Sequence, residues 1–140
     1  MILLDTNIVL RSKQANSQHF KQVTEKLIQL LTEGYKLVTC SQVIYEFYVV
    51  ATRPEINNGL GLSPENALKE VNNVIDTYTL IDDNDQIFPY WKELISTFKV
   101  SGKTAHDTRI IALMQSHKID KLYTLNKSDF KRFETIITLV

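Results

Sequence analysis

Cysteine, proline and glycine are all scarce in this chain of 140 residues, which has one, three and four of them respectively. The single Cys40 has no partner along the chain, which excludes an internal disulfide framework and suits a reducing compartment. So few glycines leave no Gly-x-Gly-x-x-Gly or Gly-x-x-x-x-Gly-Lys loop to cradle a phosphate. No pair of Cys and His residues has zinc-site spacing, since His19, His106 and His117 stand far apart. Also missing is any uninterrupted run of 18 apolar residues, so no membrane span is expected. The opening Met-Ile-Leu-Leu-Asp lacks the basic region of a signal peptide, and a cytoplasmic location is the expectation. An excess of one charge is lacking as well, with 16 basic against 16 acidic side chains. This argues against a strongly basic nucleic-acid binder.

What is present describes one ordinary globular unit, expected to span residues 1–140, with 44% hydrophobic and 23% charged residues. A chain of this size hides roughly 68–70% of its unfolded surface, enough for a full core. Its neutrality is an average. Residues 54–90 hold one Lys against seven acids, net −6, whereas residues 91–140 hold nine basic and five acidic side chains, net +4. Before any motif is considered, such blocks read first as solvated helix surfaces.

Hydrophobic periodicity sets out the elements. Ile2-Leu3-Leu4 is a short buried strand ended by the capping residues Asp5-Thr6-Asn7. Phe20, Val23, Leu27, Leu30 and Leu31 recur at helical spacing between Ser17 and Glu33, before Gly34 as a stop. Residues 36–40 form a second strand, and Ser41 is placed to cap a helix that breaks near Pro54. Turn residues at 57–61 precede Ser63-Pro64, the cap and first turn of another helix. Residues 78–81 are a third strand, and the Asp82-Asp83-Asn84-Asp85 cluster is expected to cap a helix bearing Ile87 to Phe98. A helix over 104–117 and strands at 122–125 and 135–138 complete the chain. Strands separated by helical patterns imply an α/β fold, a three-layer α/β/α sandwich around a central, mostly parallel sheet.

Ligands bind beyond the carboxyl ends of strands in such sheets, so the polar residues there come first. Asp5 ends the first strand, Ser41 and Glu46 follow the second, and Asn126 and Asp129 follow the fourth. Asp5 alone reads as a helix cap or a ligand. Glu46 has Val43, Val49 and Val50 three and four positions away, so it needs solvent, a partner or a metal. Asp107, one turn into its helix, either serves the helix dipole or joins the site. Carboxylates converging from distant elements repel one another, and a hard divalent cation such as Mg²⁺ or Mn²⁺ would relieve that repulsion.

The strings Ile2-Leu3-Leu4-Asp5-Thr6-Asn7, Glu46 on the helix after Ser41, His106-Asp107-Thr108 and Tyr123-Thr124-Leu125-Asn126-Lys127-Ser128-Asp129-Phe130 resemble the PIN domain family, in order and over nearly the whole chain. Stand-alone members most similar to it are VapC-type toxins, ribonucleases paired with an antitoxin. The resemblance implies a Mg²⁺- or Mn²⁺-dependent endoribonuclease leaving 5′-phosphate and 3′-hydroxyl ends, with an antitoxin partner and a homodimer. It implies Asp5, Glu46 and Asp107 as three acidic metal positions and Asn126 at a fourth, where many members carry an acid. Thr6, Asn7 and Thr124 match polar positions that orient ligands, and Asp129 either supplies the charge that Asn126 lacks or shapes the turn before Phe130. Arg11, Lys13, Lys103, Arg109 and Lys127 are candidates to hold the RNA backbone. The helices at 17–33 and 42–53 would offer the antitoxin a groove. The alternative is a non-catalytic PIN-like subunit that binds RNA or assembles, and Asn126 is the feature that keeps it open.

Overall fold

The computed structural model describes all residues, Met1–Val140. Five strands form one sheet in the order β3-β2-β1-β4-β5, every neighbouring pair parallel: β1 (Ile2–Leu4), β2 (Leu37–Cys40), β3 (Thr79–Ile81), β4 (Lys121–Tyr123) and β5 (Thr138–Leu139). The helices are α1 (Thr6–Lys13), α2 (Phe20–Thr32), α3 (Ser41–Thr52), α4 (Pro64–Thr77), α5 (Ile87–Phe98), α6 (Thr104–Ser116) and α7 (Lys127–Phe130). Right-handed crossovers place α1 to α4 on one face and α5 to α7 on the other. The packing agrees, since α1 touches α2 and α3, α3 touches α4, α5 pairs with α6, and α6 meets α7. This is the expected α/β/α sandwich, with a sheet that is wholly parallel.

Ile2, Leu3 and Leu4 are completely buried, because helices cover the central strand on both faces. At the edges Thr79 and Leu80 of β3 and Thr138 of β5 are exposed. Gly34 ends α2 as anticipated, at φ 84°. The Tyr35 N–H donates to the Leu30 carbonyl and the Gly34 N–H to that of Leu31, both at 3.0 Å, which satisfies two orphan carbonyls. Ser63 caps α4 through Asn66 N–H, with Pro64 in the first turn. No helix is long and apolar enough to cross a membrane.

Several boundaries differ from the sequence reading for local reasons. Two helices, not one, separate β1 from β2, and α1 is too short for periodicity to reveal it. Cys40, not Ser41, occupies the cap position of α3, and the Ser41 hydroxyl donates to Asp83 Oδ2 at 2.9 Å. None of the acids at 82–85 caps α5, whose cap position is Gln86; Asn84 Oδ1 accepts the Gln86 N–H at 3.0 Å instead. Strand β4 stops at Tyr123 because the Leu125 N–H is taken by Asn7 Oδ1 at 2.9 Å. The last strand starts at Thr138, not 135, since the Ile136 and Ile137 N–H groups turn back to the Phe133 carbonyl.

Candidate active site

Connections leave β1 and β4 in opposite directions, so the crevice at their carboxyl ends is the topological switch point where open α/β sheets bind ligands. The register Leu4↔Tyr123 sets the next residues, Asp5 and Thr124, on its two sides. Asp5 is both the cap of α1 and the floor of the crevice, only 7% exposed. Its Oδ1 accepts the Thr6 N–H at 2.7 Å. Its Oδ2 accepts Asn7 Nδ2 at 2.7 Å and the Thr124 hydroxyl at 2.6 Å. Burial raises the Asp5 pKa, Glu46 adds to the rise, and the donors oppose it.

Thr124 is buried and takes part in three hydrogen bonds, also accepting Asn7 Nδ2 at 3.2 Å and the Asn126 N–H at 3.0 Å. Asn7 thereby ties β1 to the segment after β4 through both ends of its amide. Glu46 stands mid-way along α3 and is half-buried, turned toward the crevice instead of water. Its Oε2 accepts the Thr6 hydroxyl at 2.7 Å and its Oε1 accepts Gln42 Nε2 at 3.1 Å. Asp107, in the first turn of α6, has its pKa pushed up to about 6 by burial and then by Asp129, Asp5 and Glu46, with His106 a small offset. Asp107 thus lies within electrostatic reach of Asp5, Glu46 and Asp129, and Asp5 within that of Glu46.

Asp129 is exposed on α7 and is the strongest charged neighbour of Asp107, so the structure sets it against the cluster as well as in the turn before Phe130. Asn126 holds the cap position of α7, exposed, with no side-chain cap hydrogen bond. The sequence reading assigns Gln42 no role and Asp83 only that of a helix cap. Gln42 Nε2 also donates to the His106 carbonyl at 3.0 Å, and its Oε1 accepts Arg109 at 3.3 Å. It lies four residues before Glu46, so helical spacing could have found it. Asp83 pairs with Arg109 at 3.1 Å, across 26 positions of chain that carry no signal of the contact.

The proposed backbone cations divide in two. Arg11 is bonded to Gln14 at 2.7 Å, Lys13 lies 3.8 Å from Glu70, and Arg109 is held by Asp83. Lys103 is exposed at the start of α6, and Lys127 lines a polar cleft of about 900 Å³ with Lys21, Lys26, Gln22 and Thr124; neither makes an ion pair. Of the two helices expected to offer a groove, α2 exposes Ile28 and Leu31 and α3 exposes Tyr45 and Val49, and both pack on α1.

No three Asp, Glu, His or Cys side chains stand close enough to grip one ion together. The donors are all hard oxygens, however, and Mg²⁺ takes one or two carboxylates directly while keeping several waters. Three of the roughly four lone-pair positions on Asp5 are used, which leaves one unfilled. The donor set therefore fits a partly hydrated Mg²⁺ or Mn²⁺.

The family model that matches the chain is that of the PIN domain, over residues 2–135. No curated protein matches it in sequence. Among solved structures it is similar to VapBC-1 from nontypeable Haemophilus influenzae, with TM-score 0.72 and 22% identity, covering 100% of this chain and 97% of that one. It is similar to VapBC2 from Rickettsia felis bound to a promoter DNA fragment, with TM-score 0.70 and 18% identity over 100% and 98%. It is also similar to Mycobacterium tuberculosis VapC20, a sarcin-ricin loop cleaving toxin, with TM-score 0.65 and 12% identity over 99% and 97%.

Proposed function

The chain belongs to the PIN domain family, and we propose that it is a metal-dependent endoribonuclease hydrolysing RNA phosphodiester bonds, the toxin of a toxin-antitoxin pair. The observation that carries this reading is the convergence of Asp5, Glu46, Asp107 and Asp129 at the switch point. Asp5 and Asp107, raised in pKa first by burial and then by neighbouring carboxylates, are a standing electrostatic cost, which a site built to receive cationic charge explains. Asp5, Glu46 and Asp107, with Asn126 at the rim, would hold Mg²⁺ or Mn²⁺. Such an ion supplies phosphate charge neutralisation and a water of lowered pKa.

The remaining work falls to the chain. Thr124 and Asn7 hold the Asp5 carboxylate in one orientation, so little reorganisation is needed when substrate arrives. Thr6 and Gln42 fix Glu46, each occupying one of its oxygens, so it is a positioned acceptor for a proton of an attacking water. Lys103 and Lys127 are free to take phosphate, and in this reading they draw RNA toward an acidic centre that could not attract it.

An antitoxin partner is part of the proposal, supported by the similarity to the VapBC structures, which are toxin-antitoxin complexes, and by the apolar exposure on α2 and α3. A homodimer is proposed with it, to be read by light scattering. The neutral Asn126 and the lack of a closed three-acid cage favour the second reading, a non-catalytic RNA-binding or assembly subunit. Purified protein incubated with structured and single-stranded RNA and Mn²⁺ separates the two. Cleavage that falls on the order of 100-fold or more in Asp5→Asn supports the nuclease; RNA left intact by both proteins, with no Mn²⁺ binding by calorimetry, supports the inert subunit.

A further inference from the structure

Helices α5 and α6 form an antiparallel hairpin, with Asn84 bonded to Ser116 at one end and Trp91 to Ala105 at the other. Ile87, Phe88 and Trp91 of α5 and Ala105, His106 and Arg109 of α6 line a cavity of about 380 Å³. That volume lies in the range of small-ligand sites and accommodates one planar group. Phe88 is 63% exposed, and its ring stacks on that of Trp91 with centroids 6.0 Å apart and planes 15° from parallel. The indole cannot swing freely, because its Nε1 donates to the Ala105 carbonyl at 2.8 Å. An isolated exposed Phe is ordinary; two near-parallel rings, one anchored to a second helix and both beside an open cavity, make a shelf. Lys92 Nζ lies over the Phe88 ring, 5.1 Å from its centre, and Arg109, paired with Asp83, lines the opposite wall.

The shelf adjoins the carboxylates. His106 and Arg109 flank Asp107 within one helical turn, and Gln42 joins Arg109 and the His106 carbonyl to Glu46. We propose that this shelf is a stacking subsite for an unpaired nucleobase of the RNA bound at the carboxylate site; the identity of the polymer rests on the nuclease reading. A base matches the shelf in three respects: a flat π-face for the ring pair, a flanking phosphate for Lys92, and a chain that continues into the neighbouring crevice.

Trp91 is the only tryptophan, so its emission reports on the shelf directly. The full chain is titrated in EDTA, which keeps RNA whole, with a fluorescein-labelled single-stranded RNA decamer, reading anisotropy and Trp91 emission together. The expected result is quenching that tracks binding, affinity weakened roughly tenfold by Phe88→Ala, and affinity kept by Phe88→Tyr. Heparin, an anionic polymer without bases, should leave the emission unchanged. Equal quenching by heparin, unaltered affinity in Phe88→Ala, or saturated RNA binding without quenching would each overturn the proposal. So would quenching by a partner protein but not by RNA, which assigns the shelf to protein docking. If RNA is cleaved with Mn²⁺ yet Trp91 stays silent, only the subsite is lost. If the decamer quenches Trp91 but is never cleaved, the subsite stands and the nuclease reading is lost.

Discussion

Replacing Asp107 by Asn should stabilise the metal-free protein. The carboxylate titrates at about 6 in the fold against an ordinary 3.8, because it is partly buried and faces Asp129, Asp5 and Glu46. A folded pKa above the unfolded one means that the native state binds the proton more tightly. The charged group therefore destabilises the fold fully above pH about 6, and that penalty is relieved as pH falls toward 4. The shift of about two units corresponds to at most about 3 kcal/mol, at roughly 1.4 kcal/mol per unit. The side chain is partly exposed, so solvent screening reduces this to about 1.5 kcal/mol. For a chain of 140 residues that gain raises Tm by about 5 °C. Thermal unfolding followed by circular dichroism in EDTA at pH 7.5 and pH 4.5 measures it. The variant should melt higher at pH 7.5 and keep only about a third of that gain at pH 4.5, and added Mn²⁺ should raise the wild type alone. Destabilisation at pH 7.5, or the same gain at both pH values, would refute the crowding of carboxylates from which the number comes.

Thr124→Val removes the hydroxyl that donates to Asp5 and accepts from Asn7 and Asn126, leaving buried groups short of partners. It should cost about 2–3 kcal/mol in urea unfolding, and a loss under 0.5 kcal/mol would contradict the clamp. Gly59→Ala drives a Cβ into the Arg53 carbonyl, which accepts the Gly61 N–H, so a loss of about 2 kcal/mol is expected by the same assay. Lys103→Ala and Lys127→Ala should each weaken RNA binding and reduce the slope of log affinity against log salt by about 0.7 for a single strand. Unchanged slopes in both would remove these two cations from the RNA path.

Helices whose buried faces repeat over three turns or more were legible residue by residue, as in Val23, Leu27 and Leu30 of α2, and so was the Gly34 stop. The two-turn α1 was not, since eight residues hold too few periodic positions. The acids at 82–85 have the composition of caps, yet Asp83 was drawn away by Arg109, a partner 26 residues later that no local rule identifies. Gln42 illustrates the intermediate case, visible four residues from Glu46 but ambiguous until Arg109 and the His106 carbonyl approach it.

Local chemistry in the chain settles most of the strands and the longer helices, and shows Asp5, Glu46 and Asp107 to be acids ill-suited to their neighbours or placed at element ends. Periodicity and capping act over a few residues, so they can be read in one dimension. Which acids meet depends on strand order and crossover hand, properties of the assembled sheet. The pairing of β1 with β4 brings Asp5 to Thr124 across 119 positions, and packing of α3 and α6 over that end brings Glu46 and Asp107 into each other's field. Burial there raises the pKa of Asp5 and Asp107 and lets their carboxylate neighbours add to the rise, because charge repulsion gains strength where folding has removed the water.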